Sequence, residues 1–370
     1  MRAKTPDRAV YEEVRENWDR IAKPLNGLGR FEEMVCRIGA IQGTADVRID
    51  RRAVLLLCAD NGIVEEGVTQ TGQEVTREVA SWMGRGVSSV CRMAEKAGID
   101  TIPVDLGIRM EGTPAGVLDR KVRQGTENVL KKTAMTEEEC RQAIETGIGL
   151  VRMCSEQGYQ ILATGEMGIG NTTTSAVLAA AFLQVPAAEV TGRGSGLSSE
   201  GLDRKRQIVR EALERYDACR RAEETDADFA FRMLRCAGGL DIAGLTGVFM
   251  GAAQYRMPVV LDGFITSVAA LAAERMMPGT KEYLLASHIG REPGMRKILE
   301  QLGLRAVIDG DLALGEGTGA VMLFPLLDMT LSLYRNGLKF DETAVEQYEH
   351  FEDPEETPAE LSREDGAETC

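Results

Sequence analysis

The chain has 370 residues and carries 43 Lys and Arg against 58 Asp and Glu, a formal net charge of −15. A surface for duplex nucleic acid needs clustered cations; the basic residues form no long block, so nucleic acid is excluded as a partner, although a nucleotide-sized anion can still be held locally. Aromatic residues make up only 5% while glycine numbers 40, a balance that favours loops approaching a ligand closely over stacking platforms.

No early segment pairs a charged start with an apolar run, so no secretory signal is expected. The longest apolar runs, residues 53–59 and 176–183, fall well short of a membrane span. The eight cysteines include no Cys-x-x-Cys pair. They read as free thiols in a reducing compartment, and the expected location is cytoplasmic.

In chain order, residues 11–21 have a helical pattern, and Leu28, Phe31, Met34, Val35, Ile38 and Ile41 then recur at helical spacing. Apolar runs of strand length follow at 53–60, 101–107, 160–165, 258–263 and 283–290, each closing on Gly or an acid. Helical stretches at 172–183, 202–216 and 265–276 lie between them. This alternation predicts an α/β fold with a mostly parallel sheet covered on both faces. Ligands of such sheets collect beyond the carboxyl ends of the strands, where the acid-and-glycine turns must lie. Residues 352–370 are acidic and nearly free of large apolar side chains, and read as a disordered tail.

Three glycine segments carry the candidate chemistry. Gly165-Glu166-Met167-Gly168-Ile169-Gly170-Asn171-Thr172 follows a strand and opens a helix, so amides and the helix start can meet a phosphate. Asn171 is a plausible N-cap there. Neither the dinucleotide fingerprint nor the P-loop is present. Thr191–Gly196 is a second glycine loop, followed by a helix bearing Arg204, Lys205 and Arg206; a lysine beside such a loop is a reasonable phosphate counter-charge, and a solvated basic face is the plainer alternative. Gly315-Glu316-Gly317-Thr318-Gly319 sets one carboxylate between glycines. A substrate can come close to it, and a carboxylate closed in by an apolar ring becomes a better proton acceptor; a solvated turn is the competing reading. Histidine occurs only at 288 and 350, which excludes a histidine metal cluster and leaves general-base chemistry to carboxylates. The role of His288 stays open.

Taken together, Pro24–Arg30, Ala59–Ile63, Gly165–Thr174, Gly238–Ala243, Val260–Ile265 and Gly315–Gly319 resemble, collinearly, the nicotinate-nucleotide–dimethylbenzimidazole phosphoribosyltransferase family. The resemblance runs from about residue 15 to residue 348. It implies a Rossmann-like three-layer domain over 51–325 and a small helical domain built from both chain ends, residues 1–50 and 326–351. It also implies a homodimer that uses no cofactor and no metal. The implied substrates are nicotinate mononucleotide and a benzimidazole-type base, giving α-ribazole 5′-phosphate and nicotinate for the lower ligand of cobalamin. Glu316 is then the general base and Glu166 the second active-site carboxylate. Gly168, Ile169, Gly170, Asn171, Thr172, Gly194, Lys205 and Asp262 would hold phosphate and ribose, and Thr71, Val79 and Leu314 the base. Thr71 and Val79 occupy places that are often Ser and Gln in relatives. Two other readings stand beside this one: a nicotinamide-dinucleotide oxidoreductase on a similar sheet, and a non-catalytic binder of azole ribosides.

Overall fold

The structure, a computed structural model, describes residues 2–351; the acidic tail at 352–370 lies outside the described residues. Among the described residues, eight strands form two sheets. β1 (Arg52–Ala59), β2 (Asp100–Gly107), β3 (Leu118–Asp119), β4 (Ile161–Met167), β5 (Val259–Leu261) and β6 (Leu284–Ala286) make one six-stranded sheet in the order β3-β2-β1-β4-β5-β6. Every neighbouring pair in it is parallel. This is the doubly wound Rossmann order, whose topological switch point lies between β1 and β4.

Strand periodicity divides the core in two. Ala53, Leu55, Leu57 and Ala59 of β1 point to one face, where they join side chains of helices Glu137–Glu156, Asn171–Leu183, Leu240–Tyr255 and Phe264–Met276. Val54, Leu56 and Cys58 point to the other, among helices Arg8–Asp19, Arg30–Gln42, Glu74–Gly84, Ser89–Ala97 and Thr318–Asn336. A strand buried on both faces has to be apolar at every position, as β1 is. On the first face, helices Glu137–Glu156 and Leu240–Tyr255 cross with their backbones almost touching. A Cβ at Gly247 would come within 1.9 Å of the Ile144 carbonyl oxygen, so only glycine fits this crossing.

The sequence run 283–290 is not one strand. β6 ends at Ala286, and Ser287 turns out of the sheet with its hydroxyl donating to the Leu261 carbonyl at 2.6 Å. The chain then forms β7 (His288–Gly290), which pairs in parallel with β8 (Ile308–Leu312) in a separate two-stranded sheet. That departure carries His288 and Glu292 toward the strand ends. The two ends of the described chain meet: Ile21 bridges Lys339 antiparallel, and the Trp18 and Tyr334 rings lie 5.0 Å apart. Helix Thr318–Asn336 runs unbroken through position 325. Among the described residues, no helix is long and apolar enough to cross a membrane.

Candidate active site

A cleft of about 260 Å³ opens beyond the carboxyl end of β4, and both Glu166 and Glu316 line it. Glu166, next to last in β4, is only 7% exposed. The Asn171 amide nitrogen donates to Glu166 and, at 2.8 Å, to Asp241. Asn171 therefore does not cap its helix. The N-cap position is taken by Gly170 at φ +96°, while the Asn171 side chain turns inward to separate two buried acids. Burial pushes the Glu166 carboxyl up to about 8, the neighbouring Asp241 pushing the same way. Burial also pushes Asp241 up to about 6, against the hydrogen bond from Asn171.

The glycines here are dictated by crowding. A Cβ at Gly168 would meet the Ala59 carbonyl oxygen at 2.4 Å and Asp241 Oδ2 at 2.7 Å. Of the amides in this turn, that of Ile169 already donates to the Thr76 hydroxyl at 3.1 Å. The corner fit for a phosphate lies one step further, at the N-terminus of helix Asn171–Leu183. There Lys205 Nζ donates to the Thr172 hydroxyl at 2.8 Å, and Gly194, at φ +54°, would bring a Cβ within 3.4 Å of the same nitrogen. Lys205 is not on a solvated face: it is 1% exposed, and burial lowers its ammonium to about 8.

Opposite stands Glu316, in the left-handed region at φ +59° between Gly315 at +83° and Gly317 at +88°. A non-glycine residue there costs ~1–3 kcal/mol and persists only where its surroundings hold it. Its Oε2 accepts from the Val90 amide at 3.3 Å, in the first turn of helix Ser89–Ala97, where the helix end favours an anion. The Glu316–Gly317 peptide also rests directly on β4, since a Cβ at Gly165 would meet the Glu316 carbonyl oxygen at 2.5 Å.

The remaining predicted residues divide. Val79 and Leu314 line the cleft, Val79 buried and Leu314 exposed. Thr71 does not line it and is exposed; the Thr69 hydroxyl folds back onto the Thr71 carbonyl, so Val68 and Thr69 form that wall. Asp262 is 3% exposed and away from the phosphate corner. It accepts from Gly317, Gly319 and Ala320 instead, and burial raises its carboxyl against the charge of His288 and these loop amides. His288, 4% exposed, shares a side cavity of about 40 Å³ with Glu166, Asp262 and Glu292.

Two acids escaped the sequence reading. Glu292 lines both cavities, and burial raises its carboxyl. Asp241 is wholly buried behind Glu166. Asp241 had a visible signal, an acid in an otherwise apolar helix start after Gly238-Gly239; Glu292 had none, because its placement depends on the chain leaving the sheet at Ser287.

A protein-family model described as "Phosphoribosyltransferase" matches residues 3–345. The nicotinate-nucleotide–dimethylbenzimidazole phosphoribosyltransferase of Acetivibrio thermocellus is 40% identical over 336 residues, covering 91% of this chain and 94% of its own length. The enzyme of the same name from Thermus thermophilus is 41% identical over 322 residues, covering 87% of this chain and 94% of its own. The crystal structure of CobT from Thermus thermophilus superposes with a TM-score of 0.85 at 39% identity, covering 92% of this chain and all of that one. With a matched family model over nearly its whole length and relatives this similar end to end, the chain belongs to the nicotinate-nucleotide–dimethylbenzimidazole phosphoribosyltransferase family.

Proposed function

We propose that this enzyme transfers the phosphoribosyl group of nicotinate mononucleotide to 5,6-dimethylbenzimidazole or a related azole, releasing nicotinate and forming α-ribazole 5′-phosphate. One observation carries the residue roles: Glu166 and Glu316 line a single cleft, with Glu292 in the same wall and a buried lysine at one corner. The phosphate sits at the start of helix Asn171–Leu183, held by Thr172, Lys205 and the Gly194 loop, with Gly168 and Gly170 shaping the approach. The ribose lies toward Glu166 and Glu292, and the azole between Val68, Val79 and Leu314 near Glu316.

The pyridinium nitrogen of the substrate accepts the electron pair of the breaking glycosidic bond and leaves as neutral pyridine, so departure needs neither an acid nor a Lewis acid. Positive charge grows on the anomeric carbon, and the carboxyl oxygen dipole of Glu166, which burial keeps protonated below about 8, favours it electrostatically together with the Asp241 carboxylate behind it. One azole nitrogen forms the new bond to that carbon while Glu316 takes the proton from the other, so the product is not left cationic. General-base catalysis of this kind contributes ~10²–10⁴-fold. Attack opposite the leaving group turns the β-riboside into an α-riboside.

The same reading includes a cytoplasmic homodimer with a small helical domain, residues 1–50 and 326–351, beside the α/β domain of 51–325. Free thiols at the described cysteines support the compartment. Exposed Trp82 of helix Glu74–Gly84, Val87 in the turn after it, and Met322 and Met329 of helix Thr318–Asn336 support the dimer, and the Ile21–Lys339 bridge supports the joined ends. Incubating the protein with nicotinate mononucleotide and dimethylbenzimidazole and separating the products tests the reaction. Stoichiometric nicotinate and a new azole riboside are expected; neither appearing refutes it.

A further inference from the structure

The loop that carries Glu316 has no cap of its own. Helix Thr318–Asn336 starts at Gly317, which offers no side chain to its first amides. Asp262, from the turn after β5, supplies the missing acceptor across the fold. Its Oδ1 takes the Gly319 amide at 2.9 Å and the Ala320 amide at 3.1 Å, and its Oδ2 faces the Gly317 amide at 3.3 Å. The imidazole of His288 lies flush on the same turn, since a Cβ at Gly319 would come within 2.1 Å of its Nδ1. Ser287 Oγ, 2.9 Å from that nitrogen, fixes the ring. Three successive residues at positive φ are thus pinned from below by a carboxylate and an imidazole, and from the side by Gly165.

We infer that Asp262, buttressed by His288, is a positioning residue that holds Glu316 at the azole, and is not itself a ligand of ribose or phosphate. Both carboxylate oxygens of Asp262 are engaged by the loop, and the strained backbone at Glu316 needs such a restraint. The inference rests on Glu316 being the base.

A double-mutant cycle tests it, with kcat and both KM values measured for wild type, Asp262→Asn, Glu316→Gln and the double variant. Asp262→Asn is expected to lower kcat ~10–100-fold through a misplaced base, with both KM values within about two-fold because no substrate contact is lost. In the Glu316→Gln background the same change should cost less than about two-fold, since its effect passes through a group already removed. Amide exchange in the 315–323 peptide should quicken in Asp262→Asn. If Asp262→Asn does not fold, His288→Gln is taken through the same cycle with the same expectations. Losses that multiply in the double variant, or a ten-fold rise in KM for nicotinate mononucleotide at unchanged kcat, overturn the positioning role. A fully active Glu316→Gln instead overturns the assignment of the base, so the two failures are distinct.

Discussion

Glu166 should make the protein less stable in alkali, and replacing it with glutamine should show by how much. Burial raises its carboxyl from 4.5 to about 8, so between those values the native state keeps a proton that the unfolded chain releases. The sign follows from linkage: stability falls as pH rises from about 4.5, and the loss is complete above about 8. Tenfold in acidity is worth ~1.4 kcal/mol, so the full interval corresponds to about 5 kcal/mol. That figure is a ceiling, since a glutamine amide must find partners in the same enclosure. Urea unfolding followed by circular dichroism at pH 5 and pH 9 provides the comparison. Glu166→Gln should unfold near the wild-type midpoint at pH 5 and at clearly higher urea at pH 9, while losing transferase activity. A midpoint difference that is the same at both pH values would refute the argument, as would a wild type more stable than the variant at pH 9.

Glu316→Gln should lower kcat by ~10²–10⁴ with little change in either KM, read from steady-state nicotinate release. Lys205→Ala should raise KM for nicotinate mononucleotide ~10–100-fold, because a charged hydrogen bond of ~1.5–3 kcal/mol is lost, and leave KM for the azole within about two-fold. Because Lys205 titrates at about 8, wild-type kcat/KM for the nucleotide should fall as pH rises through that value and the cation is lost. Gly247→Ala should destabilise the protein by at least ~1–3 kcal/mol in urea by forcing apart two helices whose backbones touch. Activity should persist in excess EDTA, since a pyridinium leaving group needs no Lewis acid.

What could be read in the sequence was what local pattern controls. Runs apolar at every position announced strands buried on both faces; β1 ends at Ala59, one residue short of its run, while β4 continues to Met167, two residues past its own. The Gly165 and Gly315 segments announced close approach, and the two acids they carry do share a cleft. What stayed hidden depends on partners distant in sequence. β3 and β8 are too short or too polar to show as strands: Leu118–Asp119 is held only by β2, and Ile308–Leu312 exposes its central residues. Asn171 had every local mark of an N-cap, yet two buried acids claim its side chain. Asp262 sat at a strand end like a ligand-binding acid, but the nearest unsatisfied amides belong to a helix start more than fifty residues away. Thr71 was assigned to a wall that Thr69 forms, because a turn shifts the facing residue by two.

The clasp between Ile21 and Lys339 has a consequence for synthesis. Ala22 donates to the Leu338 carbonyl at 2.7 Å and Phe340 to that of Arg20 at 2.9 Å, so the segment after the first helix completes its contacts only when almost the whole described chain has left the ribosome. All six strands of the main sheet emerge before then, the last ending at Ala286. The nascent chain can therefore assemble its sheet and nucleotide corner while its leading end waits for contacts of the longest sequence separation in the fold, the kind that form slowly.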